Sequence, residues 1–443
     1  MITERDTLDA VRRAALWFEP SADGLDSLVE RCRNAGVVLI GEASHGTHEF
    51  YRTRAELTKA LIAKAGFNLV AVEADWPDAY RVNRWARQAS TDDDAEHALG
   101  DFVRFPRWMW RNSDVVEFVT WLHDYNSGRE ATSRVGFYGL DLYSLHTSIE
   151  AVLAYLRKVD PPAAERARYR YGCFEHFAED TQAYGYAATF GLSRSCEDDA
   201  IAELVELRRR AAEYATRDGR IAADDYFFAE QNARLVRNAE QYYRSMFGGR
   251  VESWNLRDTH MMETLEALLQ YTRRTAGEAR AVVWAHNSHL GDARATQMGD
   301  QGELNIGQLA RERFGADVRS IGFTTHTGTV TAASNWDEPA QRKRVRPSLA
   351  GSYERLFHDA GLDRFWLDLA EPSIRSALAA PRLERAIGVI YRPDSERLSH
   401  YFRAPLSNQF DAVIHIDETH ALQPLEPWAV DEADLPETYP TAL

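Results

Sequence analysis

Cysteine is scarce in this chain, with three among 443 residues: Cys32, Cys173 and Cys196. An odd number with no CxxC spacing argues against a disulfide framework or a zinc ribbon and points to a reducing compartment. Long apolar runs are missing too, and none approaches the roughly 20 residues of a membrane span. The opening Met1-Ile2-Thr3-Glu4-Arg5-Asp6 lacks the basic and apolar regions of a secretory signal. Positive charge is in deficit. The 52 Lys and Arg face 68 Asp and Glu, a net charge of -16 that argues against a nucleic-acid partner and is compatible with a cationic one. The P-loop, the G-x-G-x-x-G fingerprint and the G-x-S-x-G elbow are all absent; Ser44 lies in Glu-Ala-Ser-His-Gly instead. These absences predict a soluble, cytoplasmic protein with neither nucleic acid nor membrane as partner, and they give no support to nucleotide binding through those devices or to serine hydrolase chemistry.

What is present is a chain with 44% hydrophobic residues, ample for a large core. Val37-Val38-Leu39-Ile40 runs straight into Gly41-Glu42-Ala43-Ser44-His45-Gly46-Thr47-His48. A short continuous apolar run reads as a strand buried on both faces, and its abrupt end as a strand-to-loop turn. Leu69–Glu73, Val135–Asp141, Ala281–Ala285, Val318–Phe323, Ile387–Tyr391 and Ala412–Ile416 are further candidate strands. Helical spacing recurs in residues 6–36 as two short helices, at Phe50–Ala65 closed by Gly66, and across 79–126. From about 145 to 275 the strand signals give way to amphipathic helices. The alternation predicts an α/β fold in one domain, residues 1–443: a mostly parallel central sheet flanked by helices, with a large helical lobe inserted between strands. The acidic, Pro-containing tail from Glu426 is expected to wrap the surface.

Four of these strands end in ionisable groups: Glu42/His45, Glu73/Asp75, Asp141, and His286/His289. In a parallel sheet all such ends lie on one edge, where α/β proteins place their sites. His45 reads as a general base oriented by Glu42 or Glu73, or alternatively as a packed loop histidine. His48 reads as structural. Glu73 is the better catalytic candidate of its pair, while Asp75 suits a salt bridge to Arg54, Arg81 or Arg84. His286-Asn287-Ser288-His289 admits two chemistries: metal binding together with Glu42, His45 and Glu73, or metal-free acid–base catalysis with an oxyanion contact. Asn255 is placed to cap a helix. Arg257 and Asp258 read either as a helix-terminal ion pair or as an arginine pointing into the cleft. Phe102, Phe105, Pro106, Trp108 and Trp110 resemble an aromatic cap over a cleft, with Trp76 and Trp110 as candidate substrate contacts.

Taken together, Gly-Glu-Ala-Ser-His-Gly-Thr-His-Glu-Phe at 41–50, Val-Glu-Ala-Asp at 72–75, Gly-Leu-Asp at 139–141, Asn-Leu-Arg-Asp at 255–258 and Val-Trp-Ala-His-Asn-Ser-His at 283–289 resemble the erythromycin esterase family. The resemblance implies a hydrolase that opens a macrolide lactone or a related ester. It implies that His45 activates water without a metal or other cofactor, and that Glu42, Arg54, Glu73 and His286 belong to the active site. His289, Arg257 and Asp141 are expected to line it. The family's α/β core with a largely helical lobe agrees with the order of elements.

Overall fold

The computed structural model describes residues 3–428 except 178–180, 191 and 218–219. Ten strands carry the architecture: β1 Val37–Ile40, β2 Leu69–Asp75, β3 Gly136–Asp141, β4 Ala281–Trp284, β5 Val318–Ala332, β6 Gln341–Val345, β7 Arg364–Asp368, β8 Arg382–Arg385, β9 Tyr401–Ala404 and β10 Ala412–Thr419. The main sheet has the order β3-β2-β4-β1-β5-β10-β7, with β6 paired to the far end of β5. It is parallel from β3 to β10, and β7 and β6 join antiparallel. β8 and β9 form a separate antiparallel pair.

Continuous apolar runs are required because both faces of the sheet are covered. Side chains alternate along a strand. Val38 and Ile40 of β1, Val70 and Val72 of β2, and Val282 and Trp284 of β4 enter one core, shared with the helices His48–Ala65 and Ser113–Asn126. Val37, Leu39, Leu69, Ala71, Ala281 and Val283 enter the other, built with the helices that run from Leu145 to Ala276. The helix His48–Ala65 stops where predicted. Gly66 takes φ 74°, open to glycine, and its N–H donates to the Leu61 carbonyl. Among the described residues no helix is long and apolar enough to cross a membrane.

Several expectations change. Ile387–Tyr391 is not a strand: Ile387 and Ile390 make only single bridges, to Ser44 and Ala333. The segment crosses the strand ends one residue at a time, so no ladder can extend. Residues 79–126 are not one helical block: the helices Trp76–Ala86 and Ser113–Asn126 are separated by a largely irregular connection that holds the one-turn helix Ala95–Ala98 and a 3₁₀ turn at Arg107–Met109. Cys173 and Cys196, 23 residues apart, are joined in a disulfide within the helical region, and among the cysteines Cys32 alone is free. Their spacing matches no motif because the pairing is made by the packing of separate helices. Of the tail, residues 426–428 are described; Arg111 Nε donates to Glu426 at 2.6 Å. The expected course beyond them lies outside the described residues.

The β8–β9 pair buries a carboxyl with few partners. Glu384 is fully buried, accepts from the Gln409 amide, and leaves Oε1 without a partner. Burial pushes it up to about 8 from an ordinary value of 4.5. The folded chain thus holds a proton that the unfolded chain releases above pH 4.5, so this group's effect on stability becomes less favourable from about pH 4.5 to 8. Glu384→Gln should therefore gain stability relative to the parent as pH rises from 6 to about 9, measured by urea unfolding. An equal difference at both pH values would contradict it.

Candidate active site

The strand order sets the chemistry side by side. β3, β2, β4 and β1 are consecutive in the sheet, and their carboxyl ends deliver Asp141, Glu73 and Asp75, His286, and Glu42 with His45. The turn after β1 is fixed by a close approach. Asn287 lays its amide against Gly41, accepting from Phe323 N–H at 3.2 Å and donating to the Phe323 carbonyl at 2.8 Å. A Cβ on Gly41 would collide with Asn287 Oδ1. The Asn287 N–H donates to the Glu42 carbonyl at 2.8 Å, so the turns that carry His45 and His286 are stitched together. Because that amide is pinned, Gly41→Ala should destabilise by about 1–3 kcal/mol and lower hydrolytic turnover, checked by unfolding and by rate. Unchanged values for both would mean that the turn relaxes freely.

His45 Nδ1 donates to Glu42 Oε1 at 2.8 Å, and Glu42 Oε2 lies 3.1 Å from Arg54 Nη1. Glu42 and Arg54 are each only 1% exposed. The guanidinium is sandwiched between the Tyr51 ring at 4.4 Å and the Trp284 ring at 4.6 Å, which holds a buried cation by cation–π attraction. Glu42 and Arg54 thus stand behind His45, and neither lines the cleft.

The His45 and His286 rings are 4.8 Å apart between centroids. His286 Nδ1 accepts from the Ser288 backbone N–H at 3.2 Å, which leaves the proton of the neutral ring on Nε2. Burial, and then the nearby His45, lower its pKa to about 3, so the ring is neutral at pH 7. The His286 backbone N–H donates to Glu73 Oε2 at 2.8 Å.

Behind these rings lies a charged cluster. Arg257 Nη2 bridges Glu73 Oε1 at 2.7 Å and Asp141 Oδ2 at 2.6 Å, and its Nε donates to Asp141 Oδ1 at 3.0 Å. His289 Nδ1 donates to Asp258 at 2.9 Å, Nε2 faces Glu73 Oε1 at 3.2 Å, and Trp254 stacks on the ring at 4.5 Å. Burial opposes the charge on His289, but Asp258 and Glu73 outweigh it and carry the ring to about 9. The 3.1 Å approach of Arg257 Nη1 to His289 Nε2 is then between two donors that share Glu73. Burial would raise Glu73, yet His289 and Arg257 hold its carboxyl well below the ordinary value.

The cleft over this cluster has a volume of about 510 Å³, in the range of small-molecule sites. His45, Glu73, Asp141, Arg257, His286, His289 and Trp110 line it. Segment 102–110 does form part of the wall through Phe102, Phe105, Pro106 and Trp110. Trp76 does not reach the cleft. It is fully buried and stacks with Tyr138 and Phe228 on the helical side, because as the first residue of its helix it turns under the sheet edge. Asp75 pairs with Arg104 at 2.6 Å rather than with Arg54, Arg81 or Arg84. Arg257 and Asp258 are not paired with each other, since they bind Asp141 and His289 respectively. Asn255 caps no helix, which begins at Arg250; its amide ties Gly302 and Leu304 instead. His48 donates to Asp114 at 2.9 Å, away from the cleft.

Sequence reasoning missed Asn287 as the stitch, Asp258 as the partner of His289, and the far wall formed by Val389 and Leu398–Phe402. For Asp258 the signal was an acid one residue from a candidate site arginine. For the wall there was none.

Known proteins resemble this chain in sequence and in fold. Residues 62–419 match the erythromycin esterase family. The chain is 22% identical over 409 residues to erythromycin esterase type II of Escherichia coli, covering 86% of this chain and 89% of that one. Its fold is similar to that of a solved succinoglycan biosynthesis protein, with TM-score 0.77, 19% identity and coverage of 96% and 99%. It is also similar to a substituted form of the erythromycin esterase EreC in its open conformation, with TM-score 0.64, 18% identity and coverage of 90% and 94%. The chain belongs to the erythromycin esterase family and is a hydrolase of the esterase type.

Proposed function

We propose that this hydrolase cleaves a bulky carboxylic ester, a macrolide lactone or a relative of one, using water activated by His45 and no metal. The observation that supports the reading most is the bond from His45 Nδ1 to the buried Glu42, itself paired with Arg54. That bond fixes the tautomer in which Nε2 carries the lone pair, and His45 lines the cleft. Water gives a proton to Nε2 and its oxygen attacks the carbonyl carbon. The neutral His286, its ring 4.8 Å from His45 and its Nε2 buried without a hydrogen-bond partner, would turn that N–H to the resulting oxyanion. Collapse breaks the C–O bond, and the proton held by His45 passes to the departing alkoxide, leaving an acid and an alcohol.

The metal-dependent alternative asks the same imidazoles to be ligands. His289, gripped between Asp258 and Glu73, is held as a cation, a poor metal ligand. Among the described residues, no three His, Cys, Asp or Glu side chains are grouped to hold a metal ion. The substrate class draws on the mixed apolar and charged wall and on the name of the Escherichia coli relative.

Incubation with erythromycin and a panel of lactones and open-chain esters, followed by mass spectrometry, should show addition of one water and should be insensitive to chelators. Activity lost on chelation and restored by zinc or manganese would transfer the chemistry to a metal. Tight binding with no turnover on any ester would leave a binding protein.

A further inference from the structure

Both nitrogens of the His289 ring meet carboxylates. Nδ1 lies 2.9 Å from each oxygen of Asp258, and Nε2 lies 3.2 Å from Glu73 Oε1. Acceptors on both sides of one imidazole are satisfied together only when both nitrogens carry hydrogen. Trp254 covers the ring face to face, 4.5 Å between centroids and 6° between planes, and an indole face attracts a cation. The indole is fixed in turn, its N–H donating to the Leu304 carbonyl at 2.8 Å. Asp258 is fully buried, and its Oδ1 also accepts the Ile306 N–H at 3.0 Å, which fixes the carboxylate against the ring. Neither water activation by His45 nor the contact from His286 needs Asp258.

We propose that Asp258 is a positioning residue for hydrolysis: by gripping Nδ1 it keeps His289 a cation fixed on the cleft wall, so that His289 supplies charge and carries no proton in turnover. This role rests on the cleft being the esterase site. Negative charge builds on the carbonyl oxygen as water attacks, and a cation already in place needs no reorganisation to oppose it. His289 lines the cleft. It also shares Glu73 with Arg257, and Glu73 holds the His286 backbone N–H through its other oxygen. A neutral His289 still bonded to Asp258 would turn the lone pair of Nε2 toward Glu73, and the attraction on that side of the cluster would be lost.

The charged groups around the ring come from several segments. Arg257 and Asp258 belong to the helix Arg250–Ala276, Glu73 to β2, and His286 to the ring's own turn. Glu303 approaches from the loop beyond and pairs with Arg250 at 3.2 Å, while Asp141 stands behind Arg257. Burial opposes the charge on His289 most strongly. Asp258 and then Glu73 outweigh it, Arg257 opposes, and the ring loses its proton only at about 9.

The test reads that proton. In NMR of the full chain with labelled histidine, assigned by difference from His289→Gln, His289 of the parent should carry both ring hydrogens from about pH 6 to 8. Asp258→Asn should bring its titration down by about one pH unit or more. With an ester that the parent hydrolyses, the alkaline limb of the kcat profile should lie near pH 9 and move down by the same interval in Asp258→Asn. The ratio of variant to parent rate should therefore fall as pH rises, whereas a merely structural loss lowers the rate by one factor at every pH. Asp258→Glu restores a carboxylate and should return the limb toward the parental position. A His289 ring found neutral at pH 7 in the parent, or an alkaline limb unmoved in Asp258→Asn, would overturn the proposal. The parent measurement needs no variant, so it decides even where Asp258→Asn fails to fold. Failure of the esterase reading shows instead as absence of turnover on the ester panel, which leaves the NMR readout intact.

Discussion

Replacing His45 with alanine should lower ester hydrolysis by roughly 10²- to 10⁴-fold, the usual range for loss of a positioned general base. The fold should survive, because Glu42 retains its Arg54 partner at 3.1 Å and no buried charge is left alone. A stability change of about 1 kcal/mol is expected, measured by urea unfolding. Glu42→Gln supplies the finer test. It keeps the ring in place, but its amide can present either an oxygen or an N–H to Nδ1, so the tautomer that leaves Nε2 as the acceptor is no longer enforced. The rate should fall less than in His45→Ala, with KM nearly unchanged. Near-parental rates for His45→Ala on every ester that the parent hydrolyses would remove His45 as the base, whatever the family.

That prediction was reachable from sequence because its parts are local. Glu42 and His45 are three residues apart and follow a run that can only be a buried strand. The wider cluster was legible through one rule, that the carboxyl ends of parallel strands share an edge, and β3, β2, β4 and β1 prove to be immediate neighbours. Sequence could not supply the partner choices. Asp75 takes Arg104 from a loop rather than a nearer helical arginine, and Asp258 turns away from Arg257 to His289. Such choices depend on the rotation of a helix against the sheet, and a rotation by one residue exchanges the partners. Trp76 failed for the same reason: a tryptophan beside a strand end can face the cleft or the core beneath it, and composition is blind to which.

The second large effect concerns that cluster. Arg257→Met keeps most of the side-chain volume but removes the cation shared by Glu73 and Asp141, leaving His289 as one positive charge among Glu73, Asp141 and Asp258. The Arg257 side chain is 13% exposed, so solvent replaces little of the lost attraction. Breaking a buried pair by removing one partner costs roughly 3–5 kcal/mol. In the parent, Arg257 helps depress Glu73, so that carboxylate's stabilising contribution is present above its unfolded value of 4.5 and is lost as pH falls through the lower folded value. In the variant that cation no longer favours ionisation of Glu73. The folded variant therefore binds protons more readily than the folded parent, and the stability gap between them should narrow as pH falls from 8 toward 5.5. Arg257→Lys should fall between the two, since an ammonium restores the charge without the fork that reaches both carboxylates. Turnover should drop in step, because Glu73 Oε2 holds the His286 backbone N–H at 2.8 Å and an unbalanced Glu73 shifts the ring proposed as oxyanion donor. A gap that stays constant with pH would show that Arg257 contributes packing alone, and that the carboxylates around it do not depend on its charge.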